Sequence, residues 1–82
     1  MGLKLKSGKF VGDIQERDQG SGDDSTTAFG LSQTASANPQ LRVYLNGLLQ
    51  ELTTDYTFGS NTVTFVTAPR QGQSIEILYL KD

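Results

Sequence analysis

The chain has 82 residues, a formal net charge of −2, and neither cysteine nor histidine. These absences exclude disulfides, thiolate metal sites and the side chain that most often serves as a general base. A net charge near zero gives no overall attraction to nucleic acid or to anionic lipid. No segment approaches the roughly 20 apolar residues that a membrane span requires. We therefore expect a single small domain without a cofactor, a nucleic-acid partner or a membrane partner.

The hydrophobic fraction of 35% predicts a thin core for so short a chain. Small domains with thin cores usually gain stability from disulfides, a metal or partner subunits. The first two have little basis here, because the sequence lacks cysteine and histidine. Partner subunits remain, and we expect a homo-oligomer or a component of a larger assembly.

The first 25 residues differ in composition from the rest and are predicted to form an N-terminal arm and linker, with residues 26–82 as the β domain. Leu3 and Leu5 alternate with two lysines, which suits a short extended strand. The stretch that follows is mostly charged, Gly or Ser, and QGSGDDS is a linker by composition. Two interpretations remain open, a disordered tail and an arm that lies on a neighbouring subunit. The Leu/Lys alternation favours the arm.

A series of short β-strands is predicted from Thr26 onward, joined by tight turns. Asn46-Gly47 is a strong signal for a type I′ hairpin turn, and further turns are expected at Gly59–Asn61 and at residues 68–73. The predicted inward faces consist of Thr27, Phe29 and Leu31; Leu41, Val43 and Leu45; Val63 and Phe65; and Ile75, Ile77 and Tyr79. Five or six antiparallel strands at this spacing predict an all-β sandwich or a small barrel with an extended arm.

Several apolar residues do not fit a single inward face. The last strand carries leucines on its second face, so it is either covered on both sides or meets another chain. Leu48, Leu49 and Leu52 after the Asn-Gly turn raise the same question, because an exposed apolar patch on a small domain marks an interface. The candidate interface residues are Leu3, Leu5, Phe10, Leu48, Leu49, Leu78 and Leu80.

No constellation of residues predicts catalysis, so we expect a protein that is not an enzyme. Nucleophilic serine chemistry needs a base, and the sequence has no histidine. Asp55 opens a strand, where it is expected to accept turn hydrogen bonds, and Glu76 lies on the polar side of a strand. The acidic stretch Gly20–Ser25 lacks the spacing of a calcium loop, which favours a solvated turn.

An ordered set of motifs runs through the β domain. GDDSTTAFGLSQT spans Gly22–Thr34, and VYLNG spans Val43–Gly47. TDYT then spans Thr54–Thr57, and TVTF spans Thr62–Phe65. The series closes with APRQG at residues 68–72 and IEILY at residues 75–79. In order and spacing this pattern resembles a short β module that recurs in tailed-bacteriophage structural proteins, including tail fibres and small virion components.

The resemblance implies a non-enzymatic virion component that is assembled in the host cytoplasm. The expected module self-associates, with a trimer favoured, and docks on other virion proteins through its arm. Its place remains open between capsid decoration and the tail, neck or baseplate. The alternative is a glycan-binding receptor-recognition module of a tail fibre, in which Tyr44 with Arg42, or Tyr56 with Asp55, would contact the sugar.

Overall fold

The computed structural model describes residues 14–82, which form seven β-strands and, within that range, no helix. The strands are β1 (Ile14–Ser21), β2 (Ala28–Gly30), β3 (Arg42–Leu45), β4 (Leu48–Leu49), β5 (Tyr56–Gly59), β6 (Thr62–Phe65) and β7 (Ser74–Lys81). The Leu3/Leu5 strand prediction lies outside these residues.

Two antiparallel sheets pack together around one core. The four-stranded sheet has the order β1-β7-β3-β4, and the three-stranded sheet has the order β2-β6-β5. The four-stranded sheet contributes Val43, Ile75, Ile77 and Tyr79 to the core, and the three-stranded sheet contributes Tyr56, Val63 and Phe65. Phe29 packs edge to face on Phe65, with 5.7 Å between the ring centroids. The predicted small all-β antiparallel fold is confirmed.

Strand β1 lies within the segment that the sequence assigns to an arm and linker. The structure instead places Ile14–Ser21 in the four-stranded sheet, paired with β7 along its whole length from Ile14 opposite Lys81 to Ser21 opposite Ser74. This strand brings the total above the predicted five or six. Its sequence, IQERDQGS, gives no apolar alternation, because an edge strand held by backbone and polar cross-strand pairs need not bury apolar side chains.

The tight turns explain how the short strands find their register. Asn46 and Gly47 both have positive φ, 51° and 82°, as the predicted type I′ hairpin turn requires. Ser60 and Asn61 form a second two-residue turn with φ of 51° and 59°. Asn46 also ties its hairpin to β7, because its backbone N–H donates to the Ser74 carbonyl (2.8 Å).

The long connection between β2 and β3 is fixed by polar side chains rather than by secondary structure. Asn61 Oδ1 accepts from the Ala35 N–H (2.9 Å), and Asn61 Nδ2 donates to the Gln33 carbonyl (2.9 Å). Further along, the Leu80 N–H donates to the Pro39 carbonyl (2.7 Å). The connection therefore lies against the end of β7 and closes that end of the core.

Gly22 allows the chain to leave β1 and pass close beneath the turn before β7. Its N–H donates to the Gln73 carbonyl (2.9 Å), and its own carbonyl accepts from the Gly72 N–H (3.2 Å). A Cβ atom at this position would lie 2.2 Å from the Arg70 carbonyl oxygen. Only glycine fits this close backbone approach.

We expect Gly22→Ala to lower the free energy of unfolding by roughly 1–3 kcal/mol, since the added methyl group must displace backbone rather than a flexible side chain. Urea denaturation measures the change. The matched control is Gly20→Ala, where a Cβ atom would meet nothing within 4 Å. Equal stability of the two variants would contradict the packing at Gly22.

Candidate interaction surface

Four large apolar side chains of the described residues are exposed, and all four lie on one side of the sandwich. They are Leu48 (70% exposed), Leu49 (61%), Leu52 (59%) and Val66 (64%). β4 and β5 are the edge strands of their sheets on this side, and residues 50–55 connect them. Val66 joins the same side, because its N–H donates to the Asp55 carbonyl (2.9 Å). We call these four residues the apolar side.

Leu48 and Leu49 point to opposite faces of the four-stranded sheet. Leu48 pairs with Leu45, which packs against the core, and Leu49 pairs with Tyr44 on the outer face. A flat partner laid on one face of the sheet would cover only one of these leucines. A partner that covers both must approach along the β4 edge.

Leu78 and Leu80 lie elsewhere, half-buried on the outer face of the four-stranded sheet. Leu78 has Arg17 opposite it on one neighbouring strand and Arg42 opposite it on the other. Arg17 also forms an ion pair with Glu76 (2.6 Å). The arginines flank Leu78 on both sides, so this pair of leucines belongs to a mixed surface. The structure does not bring the two leucines together with Leu48.

The predicted interface residues Leu3, Leu5 and Phe10 lie outside the described residues. Leu52 joins the candidate surface as the sequence suggested. The outward direction of Val66 follows from alternation, because Val63 and Phe65 are buried, but no local pattern groups Val66 with the leucines of β4. The Val66 N–H donates to the carbonyl of Asp55 opposite it, which continues the β5–β6 register and places Val66 beside residues 50–55.

The opposite edge of the four-stranded sheet, β1, is charged in a way that disfavours pairing with its own copy. Two copies of β1 would pair as antiparallel strands related by a two-fold axis normal to the sheet. Such an axis places one residue of β1 directly opposite the same residue of the copy. In the two registers that pair most of β1, that residue is either Arg17 or Asp18. Like charges directly opposite each other destabilise a strand pair. Such charges are a common protection of edge strands.

An apolar groove of about 370 Å³ opens beside the apolar side, where β4 has ended. Its walls include Pro39 and Leu41 from the connection that leads into β3, and Tyr56 and Phe58 from β5. The exposed Leu52 stands at its rim. The groove therefore joins the apolar side to the interior between the sheets.

A second hollow of about 240 Å³ lies below Val66, with a more polar lining. Its two best-placed polar groups already have internal partners: Asp55 Oδ2 accepts from the Glu51 N–H (2.9 Å), and Gln73 Oε1 accepts from the Arg70 N–H (2.8 Å). Asp55 thus has the turn role that its position predicts. Within residues 14–82 no three acidic side chains converge on a site that could hold a metal ion.

Asp18 forms a polar cluster that joins β1, β7 and the loop after β2. Its Oδ1 accepts from Ser32 Oγ (2.6 Å), and its Oδ2 accepts from the Ser32 N–H (2.8 Å) and from the hydroxyl of the buried Tyr79 (3.1 Å). Burial raises the pKa of Asp18, but the hydrogen bonds from Ser32 and Tyr79 outweigh it, and the pKa is lowered overall. The cluster is an anchor for the loop.

Asp23 organises the stretch Gly20–Ser25 as a turn. Its carboxylate accepts from the Thr26 hydroxyl (2.6 Å) and from the N–H groups of Thr26 (2.7 Å) and Ser25 (3.0 Å). These hydrogen bonds lower the pKa of Asp23 to about 2. The carboxylate oxygens thus hold the turn that the sequence favours over a calcium loop.

The two aromatic residues considered for sugar binding have different environments. Tyr56 is only 3% exposed and belongs to the core, so its ring is closed to a sugar. Its pairing with Asp55 as a sugar site is therefore wrong. Tyr44 is half-buried on the outer face, opposite both Leu49 and Glu76. Among the described residues, it is the tyrosine that a glycan could still reach.

Comparison with known proteins identifies no relative of this chain. No family model, no curated protein and no solved structure matches this chain. Across residues 14–82 no helix is long and apolar enough to span a membrane.

We expect Asp18→Asn to lower the free energy of unfolding at pH 7 by about 1–2 kcal/mol, because charge-assisted hydrogen bonds to Ser32 and Tyr79 are weakened. A lowered folded-state pKa stabilises the fold above about pH 4, near the pKa of an unfolded aspartate, and this contribution is lost as the pH falls through the folded-state pKa. The variant should therefore lose less stability than the wild type between pH 7 and pH 3. Urea denaturation at both pH values measures this.

The control is Glu51→Gln, since the exposed Glu51 side chain makes no hydrogen bond within residues 14–82. An unchanged pH response in Asp18→Asn would contradict the anchoring role.

Proposed function

We propose that this chain is a non-enzymatic structural module of a tailed-bacteriophage particle, which self-associates and docks on neighbouring virion proteins. The observation that carries the proposal is the apolar side, with exposed leucines on both faces of one edge strand. Four large exposed apolar residues on one side of so small a domain fit a surface that is covered in an assembly.

The resemblance to bacteriophage structural modules supports the particle context. Its motif residues have structural roles in this domain: Gly22 permits a close backbone approach, Asp23 holds a turn, and Asn46-Gly47 makes a hairpin. Residues of this kind fix the turns and the backbone packing of the domain, and they leave the strand edges available for contacts with other proteins. A structural protein that is present in many copies needs both a fixed shape and available edges.

The proposed self-association can be tested on the purified protein. We expect the wild-type protein to sediment as a multiple of the 8.9 kDa chain, and the double variant Leu48→Ser/Leu49→Ser to associate at least about 100-fold more weakly, since two buried leucines together contribute about 3–6 kcal/mol. Sedimentation velocity over a concentration series measures both.

The control variant is Ala28→Ser on β2, at the opposite edge of the three-stranded sheet. It should associate as the wild type does. A wild-type protein that stays monomeric at high concentration, or a double variant with unchanged affinity, would count against the apolar side as the interface.

The proposed place in a bacteriophage particle can be tested on purified particles. We expect quantitative mass spectrometry of purified particles of the encoding bacteriophage to detect this chain. A copy number near that of the major capsid protein assigns it to capsid decoration, and a much smaller number assigns it to the tail, neck or baseplate. Complete absence from the particle would overturn the proposed structural role.

A further inference from the structure

The apolar groove exists because β4 stops early. Leu48 and Leu49 pair with β3, and the Gln50 N–H still donates to the Val43 carbonyl (2.8 Å). Beyond Gln50 the chain leaves the sheet edge and crosses to β5. β3 and the residue before it, Leu41, continue past this point without a neighbouring strand on that side.

The backbone of both groove walls is open. In β3 the backbone N–H and C=O groups of Val43 and Leu45 point towards β4. These groups alternate in direction along a strand, so the N–H and C=O of Leu41 point to the same side. The Leu41 N–H and C=O have no hydrogen-bond partner among residues 14–82. In β5 the residues on either side of Phe58 are oriented towards β6, so the Phe58 N–H and C=O point to the open edge.

Unpaired strand edges beside apolar side chains have the chemistry of β-strand addition. Backbone groups at Leu41 and Phe58 can bond an extended peptide, and the Leu52 and Phe58 side chains form an apolar lining for its inward side chains. The matching occupant is an extended segment with apolar side chains at every second position and polar side chains between them.

We propose that this occupant is the segment Leu3–Lys6 of a neighbouring copy of the chain, an inference that rests on the proposed self-association and specifies its contact. Leu3 and Leu5 would enter the groove, and the lysines between and after them would face outward. Glu51, which precedes Leu52 in the chain, is exposed and gives the rim beside Leu52 a negative charge, whereas Asp55 lines the neighbouring hollow. The charges of segment and rim are therefore complementary.

A neighbouring copy is the occupant that accounts for the proposed self-association, and β1 does not lie beside the groove. Ile14 pairs with Lys81 at one edge of the four-stranded sheet, whereas the groove lies at the opposite edge. A segment of the same chain would have to cross the end of β7 and residues 34–39, which lie against it. The residues between Leu5 and Ile14 can span up to roughly 30 Å, enough to reach an adjacent domain.

This contact joins the N-terminal segment of one copy to a different surface of the next, so it is heterologous. Heterologous contacts form a closed ring when the rotation between copies closes. The like charges of β1 also favour heterologous association, because they disfavour the alternative two-fold pairing of β1 with β1.

Disulfide trapping tests the proposal in the 82-residue chain, which has no native cysteine. Leu5→Cys and Leu52→Cys chains are purified separately, mixed and oxidised. We expect a disulfide-linked heterodimer at a yield at least tenfold above that of Leu5→Cys mixed with Val66→Cys. Val66 is the matched control because it is equally exposed on the same side but does not line the groove.

Equal trapping with Leu52→Cys and Val66→Cys would overturn strand addition. So would an intrachain disulfide in the Leu5→Cys/Leu52→Cys double variant at a concentration where the mixed chains do not cross-link. Hydrogen exchange gives an independent readout: the Leu41 amide should exchange at least tenfold faster in Leu3→Ser/Leu5→Ser than in Lys4→Ser/Lys6→Ser. If the protein is oligomeric but Leu5→Cys and Leu52→Cys chains do not cross-link, the proposed self-association still holds and only the contact between the Leu3–Lys6 segment and the groove is ruled out.

Discussion

The hydrogen bonding of β7 along both of its edges is the constraint on which the rest of the domain depends. On one edge β7 pairs with all of β1, and on the other it pairs with β3 and, beyond it, with residues 35–39. Its alternate side chains, Ile75, Ile77 and Tyr79, are buried in the core. The Tyr79 hydroxyl donates to Asp18 and accepts from the Gln33 N–H. One strand thus holds the first strand, the central hairpin and the longest loop in a single arrangement.

The sequence predicts the parts of this fold that depend on local rules. The Asn46-Gly47 turn and the inward faces of β3, β6 and β7 follow from turn chemistry and alternation. β1 does not follow, because its stability comes from partners about 60 positions away and not from its own apolar residues. Of the candidate surface, Leu48, Leu49 and Leu52 were predicted, but the groove depends on where β4 ends, and the grouping of Val66 with the leucines depends on the pairing of β5 with β6.

The two edge strands of the four-stranded sheet differ in chemistry, so the two edges are suited to different contacts. β1 carries Arg17 and Asp18 near its middle, whereas β4 carries only leucines and is two residues long. A short edge exposes few backbone groups, which limits uncontrolled strand pairing. The groove beyond it combines open backbone with an apolar floor, so only a peptide of suitable alternation gains both kinds of contact. The short length of β4 therefore contributes to selectivity among peptides as much as any side chain does.

The pairing of the first described strand with the last also governs when the domain can form. During synthesis β1 leaves the ribosome long before β7, and the two-residue β4 and the three-residue β2 cannot replace the missing partner. Contacts between such distant segments carry a large loop-closure cost and slow the search for the native arrangement. The domain is therefore expected to fold only once β7 has been synthesised, and a product cut short before Ser74 would lack the strand that joins β1 to β3. Incomplete chains would in this way be kept from contributing a folded but defective subunit.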